Sequence, residues 1–462
     1  MTLQPSTYLD RIALFFRFHQ LGTNYRTELL ASVTIFMATA PVLVVVAHVL
    51  SNAVFLSQPG DLFSQLLVSV ALCSAIASLL MGLLANYPFV VGVGAGTSAL
   101  FAFSIVLGMG MDWRLALAAV LVEGILFTAL SASSLRRQLT DAIPASLKQA
   151  MVVGLGLFLS YIALSGKVDS PSMGAGIIVA SASMTTAFGS LREPVTLIAI
   201  AGILFTAVLT VRRMQGALLL GILATAGVGW MYGVAPFPQD ILAMPELPLA
   251  LMGQAIAGFQ LLTWNQLGNF IAVVFVLLFV SLTDTIGSLH VLGQQVDRIK
   301  PNGDLHRSKQ TLLAHSLSTV FGSLIGSVPV IPYLESTLGI FEGGRSGFVA
   351  VIVAILYLIS TWFAPLFSAI PAFATAPVLI MIGVLMMSCV RFIDWNNLAE
   401  AVPAFLVILL MPLTFSVADG LAAGFIADAV IKVALKGGQS VPRSSLILAA
   451  ISTAYFVLIA FQ

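Results

Sequence analysis

The chain has 462 residues, of which 59% are hydrophobic and 8% charged, with a formal net charge of +1 and a mean hydropathy of +1.05. A soluble globular protein carries about 25% charged residues, so lipid must be the solvent for much of this chain. The near-neutral balance argues against a nucleic-acid partner, which would favour a basic face.

The N-terminal segment 1–28 holds an amphipathic stretch, Leu9 to Phe18, and no cleavable signal peptide, and is expected to stay in the cytoplasm. A membrane helix needs about 20 apolar residues. Such runs fall near 29–50, 64–85, 89–108, 115–132, 146–165, 195–211 and 217–232, then near 268–292, 311–327, 330–343, 347–368, 374–390, 401–417 and 419–435. An extra apolar segment, 445–461, follows the polar break Lys436 to Ser444. The expected fold class is therefore an all-α integral membrane protein with fourteen spans. With a cytoplasmic N-terminus, the outer loops hold only Arg114, Lys167 and Arg192 of the 20 Lys and Arg residues. That distribution follows the positive-inside rule and orients the chain in a plasma membrane of the bacterial inner-membrane kind.

Short matches recur in the same order in both halves. His48-Val49-Leu50 returns as His290-Val291-Leu292, and Ala142-Ile143-Pro144-Ala145 returns as Ala369-Ile370-Pro371-Ala372. Twelve residues beyond each of these prolines stands a glycine, Gly156 and Gly383. These matches divide the chain into repeat 1 (29–232) and repeat 2 (268–435). Seven spans per repeat, an odd number, forces the copies into opposite orientations, the inverted plan of secondary transporters.

The third and tenth runs both open on helix-resistant sequence. One begins Phe89-Val90-Val91-Gly92-Val93-Gly94-Ala95-Gly96-Thr97-Ser98, the other Val328-Pro329-Val330-Ile331-Pro332-Tyr333-Leu334-Glu335-Ser336. Glycine freedom and proline's missing N–H favour an extended start before a half-helix. Such backbone survives at membrane depth only where protein or a wet cavity satisfies it. Two half-helix N-termini would then offer free N–H donors around a solute. Taken singly, the span 3 glycines also suit close helix packing.

Charges inside spans are costly and point to function. Asp284 lies mid-span within Ser281-Leu282-Thr283-Asp284-Thr285-Ile286-Gly287-Ser288, and Glu335 opens the helical part of the tenth span. Two carboxylates beside one cavity can hold N–H donors of a polar solute or carry a proton. Glu342 and Arg345, flanking Gly343-Gly344, read as a structural clamp, and Asp419-Gly420 as a turn or cap. Glu123 and Asp428 read as polar groups in helix packing, and His48, His290 and His315 as packing or interface residues without metal-ligand spacing. Cys73 and Cys389, in apolar runs, read as small hydrophobes. No catalytic motif occurs, so the expectation is a carrier, not an enzyme, with no cofactor and no metal.

At these residues the chain resembles the adenine/guanine/hypoxanthine (azaguanine-type) permeases of the nucleobase–cation symporter-2 superfamily, related to uracil and xanthine permeases. The likeness rests on Arg26-Thr27-Glu28-Leu29-Leu30-Ala31, Glu123-Gly124-Ile125, Tyr333-Leu334-Glu335-Ser336, Glu342-Gly343-Gly344-Arg345-Ser346-Gly347, Ala374-Thr375-Ala376-Pro377 and Met411-Pro412-Leu413-Thr414-Phe415-Ser416. It implies a core of spans 1–4 and 8–11, a gate of spans 5–7 and 12–14, and proton-coupled uptake of a purine nucleobase. Na⁺ in place of H⁺, and a homodimer, stay open. Glu335 matches the family's substrate-binding glutamate, and Asp284 the second acid of its D-x-F-D-T-x-G-T motif. The sequence departs from that pattern at Ser281, Thr283 and Ser288, and at Ser98, where the family has asparagine. The expected binding set is Glu335, Asp284, Ser98, Thr97, Ser281 and Ser336, with Glu335 and Asp284 as proton-coupling candidates. A same-fold carrier for a pyrimidine, oxopurine or organic anion, or an uncoupled facilitator or channel, are the competing readings.

Overall fold

The computed structural model describes residues 8–133, 144–165, 175–180, 186–214, 216–238, 240–296, 298, 305–414, 416–436, 445, 446, 448–450, 452, 453 and 456. Most of the apolar segment 445–461 and the first half of the Ala142-Ile143-Pro144-Ala145 sequence lie outside them.

The chain is overwhelmingly helical. A short amphipathic helix, Tyr8–Phe15, precedes α1 (Tyr25–Ser51), whose N-cap Asn24 accepts the Thr27 N–H at 3.0 Å. Next come α2 (Phe63–Leu80), which runs on as a π-helical turn to Ala85, the strand β1 (Val91–Val93) and the half-helix α3 (Ala95–Ala99), itself extended by π-helical Leu100–Gly108. Then follow α4 (Trp113–Ala132), α5 (Ala145–Leu164), α6 (Pro194–Val211) and α7 (Ala217–Met231). The second half holds α8 (Leu267–Gln295), α9 (Ser308–Leu324) and a strand at Val330–Pro332, then α10 (Ser336–Phe341), α11 (Phe348–Ser360), α12 (Ala376–Met387), α13 (Leu398–Leu413) and α14 (Val417–Lys436). Between α5 and α6 a hairpin pairs β2 (Ile178–Ala180) with β3 (Thr186–Phe188), which hydropathy did not foresee. The strand Val330–Pro332 is β4.

Among the described residues, eight helices are long and apolar enough to cross a membrane, and Ala95–Gly108, Ala217–Met231 and Leu398–Leu413 are shorter apolar helices. The tenth apolar run, 330–343, is only partly helical: β4 takes its first residues because Pro329 and Pro332 cannot donate the N–H a helix needs.

The helices pack in two sets. In one, α1, α2, α4, α8, α9, α10 and α11 lie against one another; in the other, α5, α6, α7, α12, α13 and α14 do. Gly156 and Gly383, which occupy matching places in the two halves of the sequence, meet where α5 crosses α12. A methyl group added to Gly383 would stand 2.7 Å from the Gly156 carbonyl oxygen. Small residues let helix backbones approach this closely. Gly383→Ala is expected to lower stability by about 1–3 kcal/mol through overpacking, measured as a drop in the thermal unfolding midpoint of purified protein. A midpoint equal to wild type would show that this crossing yields without strain.

Candidate functional site

The site is built on the two interrupted segments. β1 and β4 pair antiparallel at the register Val91–Pro332, Gly92–Ile331 and Val93–Val330. The pairing continues past the strands, with the Tyr333 N–H donating to the Val90 oxygen at 2.9 Å and the Gly94 N–H to the Pro329 oxygen at 3.4 Å. Because the pairing is antiparallel, α3 and α10 leave it in opposite directions. Serines of α2 satisfy backbone groups that no helix serves. Ser78 Oγ accepts from the Val91 N–H and donates to the Val91 oxygen, while Ser74 Oγ accepts from the Val93 N–H at 3.2 Å. The Tyr333 hydroxyl donates to the Val93 oxygen at 2.7 Å. Gly92 is required here, since a side chain would strike both Tyr333 and Ser74.

Against this crossing lies a cavity of about 720 Å³, lined by Asp284 and Ser288 of α8, Glu335 at the N-terminal edge of α10, Ala95 and Gly96 of α3, and Lys148 and Gln149 of α5. That volume is in the range of small-molecule pockets. Asp284 and Glu335 are each partly accessible and lie within electrostatic reach of one another. Ser288 Oγ stands 3.5 Å from an Asp284 oxygen. The described ion pairs, Arg114 with Asp112 and Lys432 with Asp428, involve neither acid. Two carboxyl groups thus converge on one cavity beside the starts of two half-helices, an arrangement able to receive N–H donors or a proton.

The four hydroxyl residues expected beside these acids do not line the cavity. Ser98 Oγ donates to the Gly94 oxygen at 2.6 Å, and Thr97 Oγ1 to the Gly94 and Pro329 oxygens. Ser336 Oγ accepts the Val90 N–H at 3.0 Å, which anchors one half-helix to the other strand. Ser281, one turn before Asp284 on α8, stands beside Glu123 of α4. Thr97, Ser98 and Ser336 thus bond to the crossing's own backbone, since a break in two helices leaves backbone polar groups that need partners. Lys148 and Gln149 escaped the sequence reading. Their only signal was polarity four and five residues past Pro144, at the start of an otherwise apolar run.

The expected clamp is more widely tied than Glu342 and Arg345. Arg345 Nη1 donates to the Ile340 oxygen at 2.7 Å, and the Arg345 N–H donates to Glu28 Oε1 at 2.9 Å. Glu28 is fully buried and also receives the Thr23 and Ser346 hydroxyls. In the Ala369-Ile370-Pro371-Ala372 segment, the Ile370 oxygen accepts from His48 Nε2 at 2.7 Å and the Ala369 oxygen from Trp230 Nε1 at 2.9 Å. The side chain of His290 lies outside the described residues. Among the described residues, no group of three or more His, Cys, Asp and Glu could hold a metal ion.

A bundle of long apolar helices that encloses broken segments and a two-acid cavity defines a class, the multi-pass membrane transporters. The profile of the Permease family of xanthine/uracil type matches residues 26–422, and the chain belongs to that family. It is 35% identical over 420 residues to the guanine/hypoxanthine permease PbuG of Bacillus subtilis, covering 89% of this chain and 92% of that one. It is 32% identical to the adenine permease AdeP of Escherichia coli, covering 92% and 90%. Among solved structures, the transmembrane domain of the cyanobacterial bicarbonate transporter BicA aligns with a TM-score of 0.61 over 85% of this chain and 96% of that one. At 16% identity that likeness shows the fold alone.

Proposed function

We propose that the chain is a proton-coupled carrier that brings a purine nucleobase across the plasma membrane by alternating access. The observation that carries this reading is the convergence of Asp284 and Glu335 on one cavity at the β1–β4 crossing. A purine offers N–H donors along one edge, and paired carboxyls are the groups that receive them. Relatives named for guanine, hypoxanthine and adenine support the substrate class. Glu335 and Asp284 are the binding and proton-coupling residues of this reading. Thr97, Ser98 and Ser336 act one layer behind them, holding the crossing in shape, and Ser281 stands behind Asp284 toward α4. Lys148 and Gln149 reach the same space from α5 and offer donors to the acceptor edge of a base.

The architecture we propose is fourteen spans in two inverted repeats. The antiparallel β1–β4 pair and the meeting of Gly156 with Gly383 support it, since matching positions of two inverted copies would come together near a shared axis. The set α1, α2, α4 and α8–α11, joined by α3, forms the core, and α5–α7 with α12–α14 forms the gate. Most of the packing lies within each set, with α7, α12 and α5 meeting the core at α1, α3 and α8, an arrangement that supports movement of one set against the other. The N-terminus lies in the cytoplasm.

In proteoliposomes with an inward proton gradient, labelled guanine, hypoxanthine or adenine is expected to accumulate above equilibrium, and a protonophore to abolish the accumulation. Failure of every purine to compete for uptake would reject the substrate class. Equilibration without accumulation would make the chain a facilitator.

A further inference from the structure

The buried polar groups of this protein are unevenly satisfied. Of the buried side-chain atoms without a hydrogen-bond partner among the described residues, a large share gathers where α4, α8 and α9 pack together: both carboxyl oxygens of Glu123, Ser281 Oγ, Thr319 Oγ1 and His315 Nδ1. Glu123 is 0% exposed. The Ser281 hydroxyl stands beside its carboxyl without closing a hydrogen bond to it. Gly124 packs on Thr319 and Val320, and Phe127 on the His315 ring at 4.9 Å between centroids, so one face of α4 runs along the polar face of α9.

Helical spacing explains the gathering. Ser281 and Thr285 are four residues apart on one stripe of α8, as are His315 and Thr319 on α9. Asp284 and Ser288, also four residues apart on α8, line the cavity. His315 ties Thr285 of α8 to β4. Its Nε2 lies 2.7 Å from the Val330 oxygen of β4 and 2.8 Å from Thr285 Oγ1. A carbonyl can only accept, so Nε2 carries the hydrogen and Nδ1 is left as an open acceptor pointing to no partner. This polar tract therefore begins at Glu123 and ends on the strand that delivers Glu335.

An unpaired buried carboxylate is disfavoured by several kcal/mol and takes a proton instead. Buried unsatisfied groups that cluster are the places where water or an ion belongs. We propose that Glu123 is a second proton-binding site of the carrier, separate from the substrate acids, with Ser281, Thr319 and His315 Nδ1 holding its proton and bridging waters. The proton binds at Glu123 when the carrier faces outward and leaves to cytoplasmic water when it faces inward. The charged and titratable groups on the elements around Glu123 are His315 and Lys309 of α9 and Asp284 and His290 of α8; the segments Gln254–Ala257, Gly258–Leu261 and Leu100–Gly108 bring none. Arg114, at the far end of α4, pairs with Asp112 at 3.6 Å.

This inference rests on the proton-coupled reading above, and Glu123→Gln separates the two. In E123Q, binding of labelled hypoxanthine to purified protein and base-for-base counterflow in liposomes are expected to stay within about twofold of wild type. Proton-driven accumulation is expected to fall about tenfold or more, the scale of an energetic coupling between two sites, and to lose its pH dependence. Glu123→Asp, which keeps the acid, should recover part of the accumulation. Accumulation by E123Q with the wild-type pH profile would overturn the proposal. So would accumulation driven by Na⁺ that E123Q abolishes, since the occupant would then be a metal cation. Infrared spectra provide an independent reading: wild type should show a neutral carboxylic-acid band that disappears in E123Q and shifts in E123D. Absence of that band overturns the proposal even if E123Q fails to fold. Wild-type protein that binds no purine would reject the nucleobase reading alone, because the infrared band is measured without solute.

Discussion

Glu335→Gln is expected to lower purine uptake at low substrate concentration by about 100-fold. The carboxylate offers two accepting oxygens at the start of α10, whereas glutamine replaces one of them with a donor that meets the donor edge of the base. A charge-assisted hydrogen bond contributes about 1.5–3 kcal/mol, and a buried donor left facing another donor loses more. The effect should lie in binding as well as in transport, because Glu335 lines the cavity and Ser336, its neighbour, ties the half-helix to Val90. Titration calorimetry on purified E335Q reads binding, and counterflow reads transport. Unchanged affinity in E335Q would remove Glu335 from the substrate and reduce it to a cap on a helix end. Asp284→Asn provides the comparison: it keeps the shape of the second acid while removing its charge.

Glu28→Ala is expected to cost about 3 kcal/mol of stability, the larger structural effect. Glu28 Oε1 receives the Thr23 hydroxyl at 2.7 Å and the Arg345 N–H at 2.9 Å, while Oε2 receives the Ser346 N–H at 3.3 Å and the Ser346 hydroxyl. Truncation strands these donors in a buried setting, and stranded donors carry the full desolvation penalty. The same loop is held by Asn86, whose side chain accepts the Gly347 N–H at 2.7 Å and donates to the Phe16 oxygen. Asn86 sits at φ 53° in the left-handed region that asparagine tolerates better than most residues. Thermal unfolding of the detergent-solubilised variant checks the expectation, with Glu342→Ala beside it. If E28A melts with wild type while E342A does not, the clamp belongs to Glu342 and Arg345 as the sequence suggests.

The functional chemistry was legible in the chain to the extent that it depends on isolated, costly residues. Asp284 and Glu335 stand out because a carboxyl in an apolar run has no surface to escape to. The Gly-rich and Pro-rich openings at 89–98 and 328–336 stand out because neither favours a helix from its first residues. Even the twin glycines, Gly156 and Gly383, could be found from spacing alone, although nothing in the sequence says that they touch.

Hydroxyl residues were harder to place. Serine and threonine bond to backbone as readily as to ligand, and which they do depends on neighbours distant in sequence. Ser98 and Ser336 carry the same polarity on the page whether they face a base or cap a strand, and only the β1–β4 register decides. The latch on Glu28 and the tract around Glu123 were hidden for the same reason. Each joins groups hundreds of residues apart, from Glu28 to Ser346 and from Glu123 to His315.

A lipid-solvated helical chain, the places where two helices break and the two acids that need a polar cavity all follow from the amino acids alone. The tertiary structure decided which polar groups face that space and which are consumed in building it. Apolar periodicity and the cost of a buried charge act locally along the chain, whereas hydrogen-bond satisfaction is a property of surfaces that meet only on folding.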